Sequence, residues 1–178
     1  MKKYIQSFTL LCVIIGFVLL CAPKKTSNPT ESIVNNPAPR FILNNDSGGT
    51  TRLSDYNGSV ILLMFGEDGN TPTQNAAPHI ETIYNEYRSN NVRVLCILVK
   101  NTVGGNPTVT ELSAFKTTHA LTFPVLADEN QKTKKSYTGS ENPLIFYVLD
   151  RQLHIKTHYT GYSSQIDTNI RRDIVNLK

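Results

Sequence analysis

Glu67 and Asp68 stand side by side in the segment Phe65-Gly-Glu-Asp-Gly-Asn70-Thr-Pro-Thr73-Gln74, with Asn70, Thr71 and Thr73 directly after them. Two carboxylates beside hydroxyls and an amide could hold a cation or exchange protons with a substrate. Acids just ahead of a helix are also favoured by its dipole alone, with no chemistry implied. Thiol chemistry has one candidate beyond the N-terminal region, Cys96, which lies mid-run between Leu95 and Ile97. There a free cysteine behaves as a small hydrophobe. His154 and His158 suggest a metal, but in an extended strand residues four apart are separated by about 13 Å. A shared ion needs both nitrogens within roughly 2 Å of it. His79 and His119 are isolated, and the Gly104-Gly105 loop has no lysine or serine placed to cradle a phosphate. No metal and no cofactor is expected.

The elements that must position these residues follow from hydrophobic pattern. Phe41 to Leu43 and Thr51 to Leu53 read as two short strands around the Gly48-Gly49 turn. Val60 to Phe65 and Val92 to Val99 are apolar runs without alternation, as expected of strands covered on both faces. Between them Ile80, Ile83, Tyr84 and Tyr87 mark one face of a helix over Thr73 to Asn90, with Pro78 expected to kink it near its start.

Thr108-Val-Thr-Glu111 is a capping box opening a helix through Thr118. Phe123 to Leu126 reads as a strand, Gln131 to Tyr137 as a short helix, and Leu144 to Leu149 with His154 to Tyr159 as an antiparallel hairpin. Ile166, Ile170, Ile174 and Leu177 close the chain with a helical stripe starting at Ser163 or Ser164. Parallel crossovers joined to a terminal hairpin predict an α/β fold: three layers, a central mixed sheet with helices on both faces, and an N-terminal β-hairpin.

Of the 178 residues, the first 21 read as a signal segment: Met1-Lys2-Lys3 is a positive start and Phe8 to Ala22 an apolar run, short for a membrane span. Cys21 stands where a bacterial lipoprotein would be cleaved and acylated, although Leu20 is larger than the residue that usually precedes such a cysteine. An uncleaved anchor and full secretion are the other outcomes, and all three put the domain outside the cytoplasm. Residues 22–36 are polar and proline-containing, read as a tether, and 37–178 form the domain.

Without Lys2 and Lys3 the 18 basic residues fall to 16 against 14 acids, too little charge to argue for nucleic acid. The cluster Lys132, Lys134 and Lys135 reads as solvated helix surface.

Pro37-Ala-Pro-Arg-Phe41-Ile-Leu43, Leu53-Ser-Asp-Tyr-Asn-Gly58, the strand ending at Phe65, Leu121-Thr-Phe-Pro-Val-Leu-Ala-Asp128 and Asn142-Pro143 ahead of a strand and Asp150 occur in an order that resembles the redoxins. These are the TlpA/ResA-type extracytoplasmic thiol oxidoreductases and AhpC/TSA-type peroxiredoxins. The resemblance covers Pro37 to the C-terminus and implies a thioredoxin-like fold.

It also places the family's two catalytic cysteines five and eight residues after Phe65, on Asn70 and Thr73, with the helix proline on Pro78 and an acidic residue on Ala76. The peroxiredoxin register, suggested by Thr71-Pro72, puts the peroxidatic cysteine on Gln74, and the arginine that would activate it is missing around Asn142 to Leu144. Both registers lack sulfur, and only a thiolate attacks a disulfide. Asn142-Pro143 matches the family's cis-proline, which presents backbone to extended peptides.

The expectation is therefore a membrane-tethered cell-envelope protein, facing the periplasm or exterior, of redoxin fold without catalysis. It would bind a protein or extended peptide through Glu67, Asp68, Asn70, Thr71, Pro72, Thr73, Asn142 and Pro143. The alternative is that the family's oxidoreductase or peroxidase activity survives through Cys96.

Overall fold

The computed structural model describes residues 34–178; the signal segment, Cys21 and all but the last three residues of the tether lie outside the described residues. Seven strands form one sheet in the order β2-β1-β5-β4-β3-β6-β7. They are β1 (Ile42–Asn45), β2 (Thr50–Arg52), β3 (Val60–Glu67), β4 (Val92–Lys100), β5 (Val125–Ala127), β6 (Ile145–Leu149) and β7 (Ile155–Thr160). The central β3, β4 and β5 run parallel, whereas β6 joins β3, β1 joins β5, and β2 and β7 complete the edges in antiparallel fashion. The N-terminal hairpin is β1-β2, and the sheet is mixed as the pattern predicts.

Alternation within the apolar runs divides the core into two. Val60, Leu62 and Met64 of β3 point, with Cys96 and Leu98 of β4, toward α1 (Thr71–Tyr87), α2 (Val109–Thr118) and α4 (Ser164–Leu177). Ile61, Leu63 and Phe65 point the other way, onto Tyr137 of α3 (Lys132–Tyr137), Phe41 and Leu53. Each central strand thus has two buried faces, which is why its sequence lacks polar alternation.

Local signals set the helix ends. The predicted capping box is complete: Thr108 Oγ1 accepts from the Glu111 N–H, and Glu111 accepts from the Thr108 N–H. Ser163 caps α4 by accepting from Ile166 N–H. Helix α1 begins at Thr71, two residues before the predicted start, because Asn70 supplies the cap and Pro72 sits in the first turn, where a missing N–H costs nothing. It runs unbroken past Pro78 to Tyr87, followed by a 3-10 turn over Arg88–Asn90. Residues 35–38 lie along the edge of the sheet: Asn35 N–H donates to Ile155 O at 2.6 Å and Ala38 N–H to Leu153 O at 2.8 Å.

Two expectations are corrected. Lys134 is not solvated: it is 3% exposed, turned inward with Thr133 and Tyr137, while Lys132 and Lys135 face water. Lys134 and Thr133 lie three and four residues before Tyr137, on the same buried face of this short helix. The Asn142–Pro143 bond is trans, since no peptide bond among the described residues is cis. Trans is the lower-energy isomer of an X-Pro bond by about 0.5–1 kcal/mol, and Leu144 N–H donates to Asn142 Oδ1 at 3.0 Å, a turn that spans the proline in that isomer.

Candidate functional site

The loop between β3 and α1 sits at the C-terminal edge of the sheet, where open α/β folds gather ligands. Its shape is set by four close contacts. Pairing of β3 with β4 slips at Gly66/Glu67, from Leu98 to Lys100, which carries Glu67 onto Lys100 with Nζ and Oε1 2.9 Å apart. Asp68 N–H donates to Lys100 O at 3.0 Å, and Gly69 lies against Thr102, where a Cβ would come within 3.1 Å of a carbonyl oxygen. Gly66 faces Thr73 so closely that a Cβ would lie 2.6 Å from Thr73 Cγ2.

Asn70 and Thr73, the two positions where the redoxin register places sulfur, form a closed polar unit. Asn70 Oδ1 accepts from Thr73 N–H at 3.2 Å and from Thr73 Oγ1 at 3.3 Å. Thr73 Oγ1 in turn accepts from Glu67 N–H at 3.3 Å, so its donor and acceptor capacities are both used. Thr73 is 0% exposed. A hydroxyl so buried and engaged on both sides is poorly placed to act as a nucleophile.

Thr71, Pro72 and Gln74 are exposed around this unit, with Gln74 Nε2 donating to Asp68 O at 2.8 Å. The antiparallel pair Phe65↔Ile145 brings Asn142 and Pro143 to the same edge as the loop.

The two carboxylates do not act as a pair. Glu67 is taken by Lys100, while Asp68 faces Glu111 and His119. Burial raises the Asp68 pKa, repulsion from Glu111 adds to the shift, and His119 offsets part of it. Burial lowers the His119 pKa, and Asp68 opposes that change. Lys134 approaches from the opposite face of the sheet. Its pKa is lowered by burial, against the attraction of Glu67 and Glu141.

Sequence reasoning missed Lys134, since its only signal was its spacing of three residues before Tyr137. It also missed Lys100 as the partner of Glu67, because the bulge that brings them together leaves no mark in the pattern.

The remaining candidates are accounted for elsewhere. Cys96 is 0% exposed among core side chains, and burial pushes its thiol pKa far upward, with the Asp68 charge adding to it. His154 lies 3.5 Å from Asp150, His158 stacks on Tyr147 with ring centroids 5.8 Å apart, and His79 stacks on Tyr162 at 5.3 Å. Among the described residues no group of three or more His, Cys, Asp or Glu could hold a metal ion, and no helix is long and apolar enough to cross a membrane.

Comparison with known proteins gives this arrangement a context. A model of the AhpC/TSA family matches residues 34–160. The thiol-disulfide oxidoreductase ResA of Geobacillus kaustophilus is 28% identical over 149 residues, which cover 84% of this chain and 80% of that protein. The thioredoxin-like protein YneN of Bacillus subtilis is 26% identical over 140 residues, 77% of each chain. Among solved structures, one described as a thiol:disulfide interchange protein DsbE from Chlorobium tepidum superposes with a TM-score of 0.71 at 20% identity, covering 81% of this chain and 96% of its own. Peroxidoxin BcpB from Mycobacterium tuberculosis gives 0.65 at 14% identity, covering 80% and 96%. These likenesses establish the thioredoxin-like fold.

Proposed function

Because the chain belongs to the AhpC/TSA family, we propose that it is a redox-silent member that works by holding a protein or extended peptide rather than by exchanging electrons with it. The observation that carries this reading is the Asn70–Thr73 unit: the two positions that the redoxin register gives to sulfur bear an amide and a buried hydroxyl, hydrogen-bonded to each other. The single thiol of the described residues, Cys96, is enclosed and held protonated by burial.

Binding is assigned to the exposed rim of the loop, Thr71, Pro72 and Gln74, together with Asn142 and Pro143 on the same sheet edge. The fixed backbone of that rim, tied to Lys100 and capped by Asn70, offers a preorganised surface at low entropic cost. The apolar leader with Cys21, and the polar, proline-containing sequence after it, support a domain exported and tethered to a membrane in the cell envelope.

A photocrosslinking residue placed at Gln74 tests the binding role in the envelope. A discrete adduct that disappears when Thr71, Pro72 and Pro143 are replaced supports it; an adduct indifferent to those replacements, or none, contradicts it.

A further inference from the structure

We propose that a cleft between β1 and α3 is a second docking surface, which takes an extended acidic segment of a partner protein as a short added strand. The cleft encloses 610 Å³, and none of its lining residues belongs to the loop or to the Asn142–Pro143 turn. It adjoins a hollow of 390 Å³ that shares Arg40, Phe41 and Ile42 with it and adds Arg52.

The backbone argument comes from the ladder. Leu53 N–H donates to Phe41 O and Asn45 N–H to Gly49 O, so the odd residues of β1 turn their polar groups toward β2. Asp46 N–H donates to Val125 O and Asn44 pairs with Ala127, so the even residues turn toward β5. Ile42 is even, but β5 ends at Ala127 and the chain leaves the sheet as a 3-10 turn over Glu129–Gln131. The N–H and C=O of Ile42 therefore open into the cleft with no strand opposite them. An exposed stretch of ladder of this kind is a template for a further strand.

The side chains select the occupant. Ile42 is 56% exposed and offers an apolar contact at the centre. Arg40, Arg52 and Lys132 surround it, all exposed, and none of the three makes an ion pair among the described residues. Of the two acids in the lining, Asp128 is buried, with both oxygens accepting backbone N–H groups, from Thr133 at 2.8 Å and Lys134 at 2.7 Å, so Glu129 is the one exposed carboxylate there. Three exposed cations against one exposed carboxylate, around an apolar centre, complement a segment that alternates acidic and apolar residues. The chain's own residues 22–36 do not complement them, with Lys24 and Lys25 against Glu31.

The test uses the purified full chain and a fluorescein-labelled peptide of alternating glutamate and valine, followed by anisotropy. Saturable binding is expected, weakened about tenfold or more by Arg40→Glu with Lys132→Glu, and equally lost when alternate peptide amides are N-methylated. A peptide of alternating lysine and valine should not bind. Binding that survives both charge reversal and N-methylation, equal binding of the lysine peptide, or no saturable binding of the glutamate peptide would overturn the proposal. So would self-association of the chain abolished by the same charge reversals, which would give the cleft to a second copy.

Discussion

Asn70 Oδ1 accepts two hydrogen bonds from Thr73, one from its backbone N–H at 3.2 Å and one from its hydroxyl at 3.3 Å. A pair that in redox members would be joined or separated by electrons is here joined permanently, as the cap of α1. On the proposed reading, a structural cap stands where redox members carry their chemistry.

Loss of the cap should be felt as stability. Asn70→Ala is expected to cost about 1 kcal/mol, the usual worth of a side-chain cap. Thr73→Val should cost about 1–3 kcal/mol, because it leaves the Glu67 N–H without its acceptor. Urea unfolding followed by circular dichroism measures both; a Thr73→Val variant as stable as the parent would show that the hydroxyl is idle.

Gly66 and Thr73 are coupled sterically. Gly66→Ala places a methyl against Thr73 Cγ2 and is expected to destabilise by about 1–3 kcal/mol, the cost of overpacking. Adding Thr73→Ser removes that methyl and should recover part of the loss. A double-mutant cycle with no coupling energy would place the strain elsewhere.

Lys134 makes stability depend on pH in a definite direction. Burial lowers its folded pKa below 10.5, so the unfolded chain binds the extra proton, and its contribution improves as pH rises through that window. Lys134→Met should stabilise the protein at neutral pH by about 1 kcal/mol or more, with the advantage shrinking as pH approaches 10.5. The comparison must be between the two proteins, because burial raises the pKa of Tyr137 and Tyr147 and both proteins lose stability above the tyrosine range. A constant difference across the titration would contradict the assignment.

His119 reports on Asp68. Burial lowers the His119 pKa while the Asp68 charge supports the protonated ring, so Asp68→Asn should move the titration of His119 further down, read from its imidazole signals by NMR. With its folded pKa below 6.5, His119 also contributes stability that is lost as pH falls through 6.5 and below. An unchanged or upward shift in the variant would mean that the two groups do not interact.

The fold was legible because its signals are local and repeated. The uninterrupted runs of β3 and β4, the Thr108–Glu111 box and the isoleucine stripe of α4 each report burial or capping directly, and all three appear where the pattern put them. Absence of sulfur at Asn70 and Thr73 was equally plain. What the sequence hid depends on contacts between distant residues: the bulge that delivers Glu67 to Lys100, the inward turn of Lys134 in a helix with almost no apolar residues, and the trans Asn142–Pro143 bond, where likeness to a family pattern pointed to the other isomer. The gap beyond β5 is invisible in the same way, since a strand's end marks a cleft only once its neighbour is known to continue.

The most direct test is reduction of insulin disulfides by the full chain carrying Cys12→Ser and Cys21→Ser, with dithiothreitol as electron donor. The account predicts turbidity no faster than dithiothreitol alone, unchanged by Cys96→Ser, and a clear acceleration when Asn70→Cys and Thr73→Cys restore sulfur at the start of α1. Turnover by the chain without those two cysteines, abolished by Cys96→Ser, would contradict it.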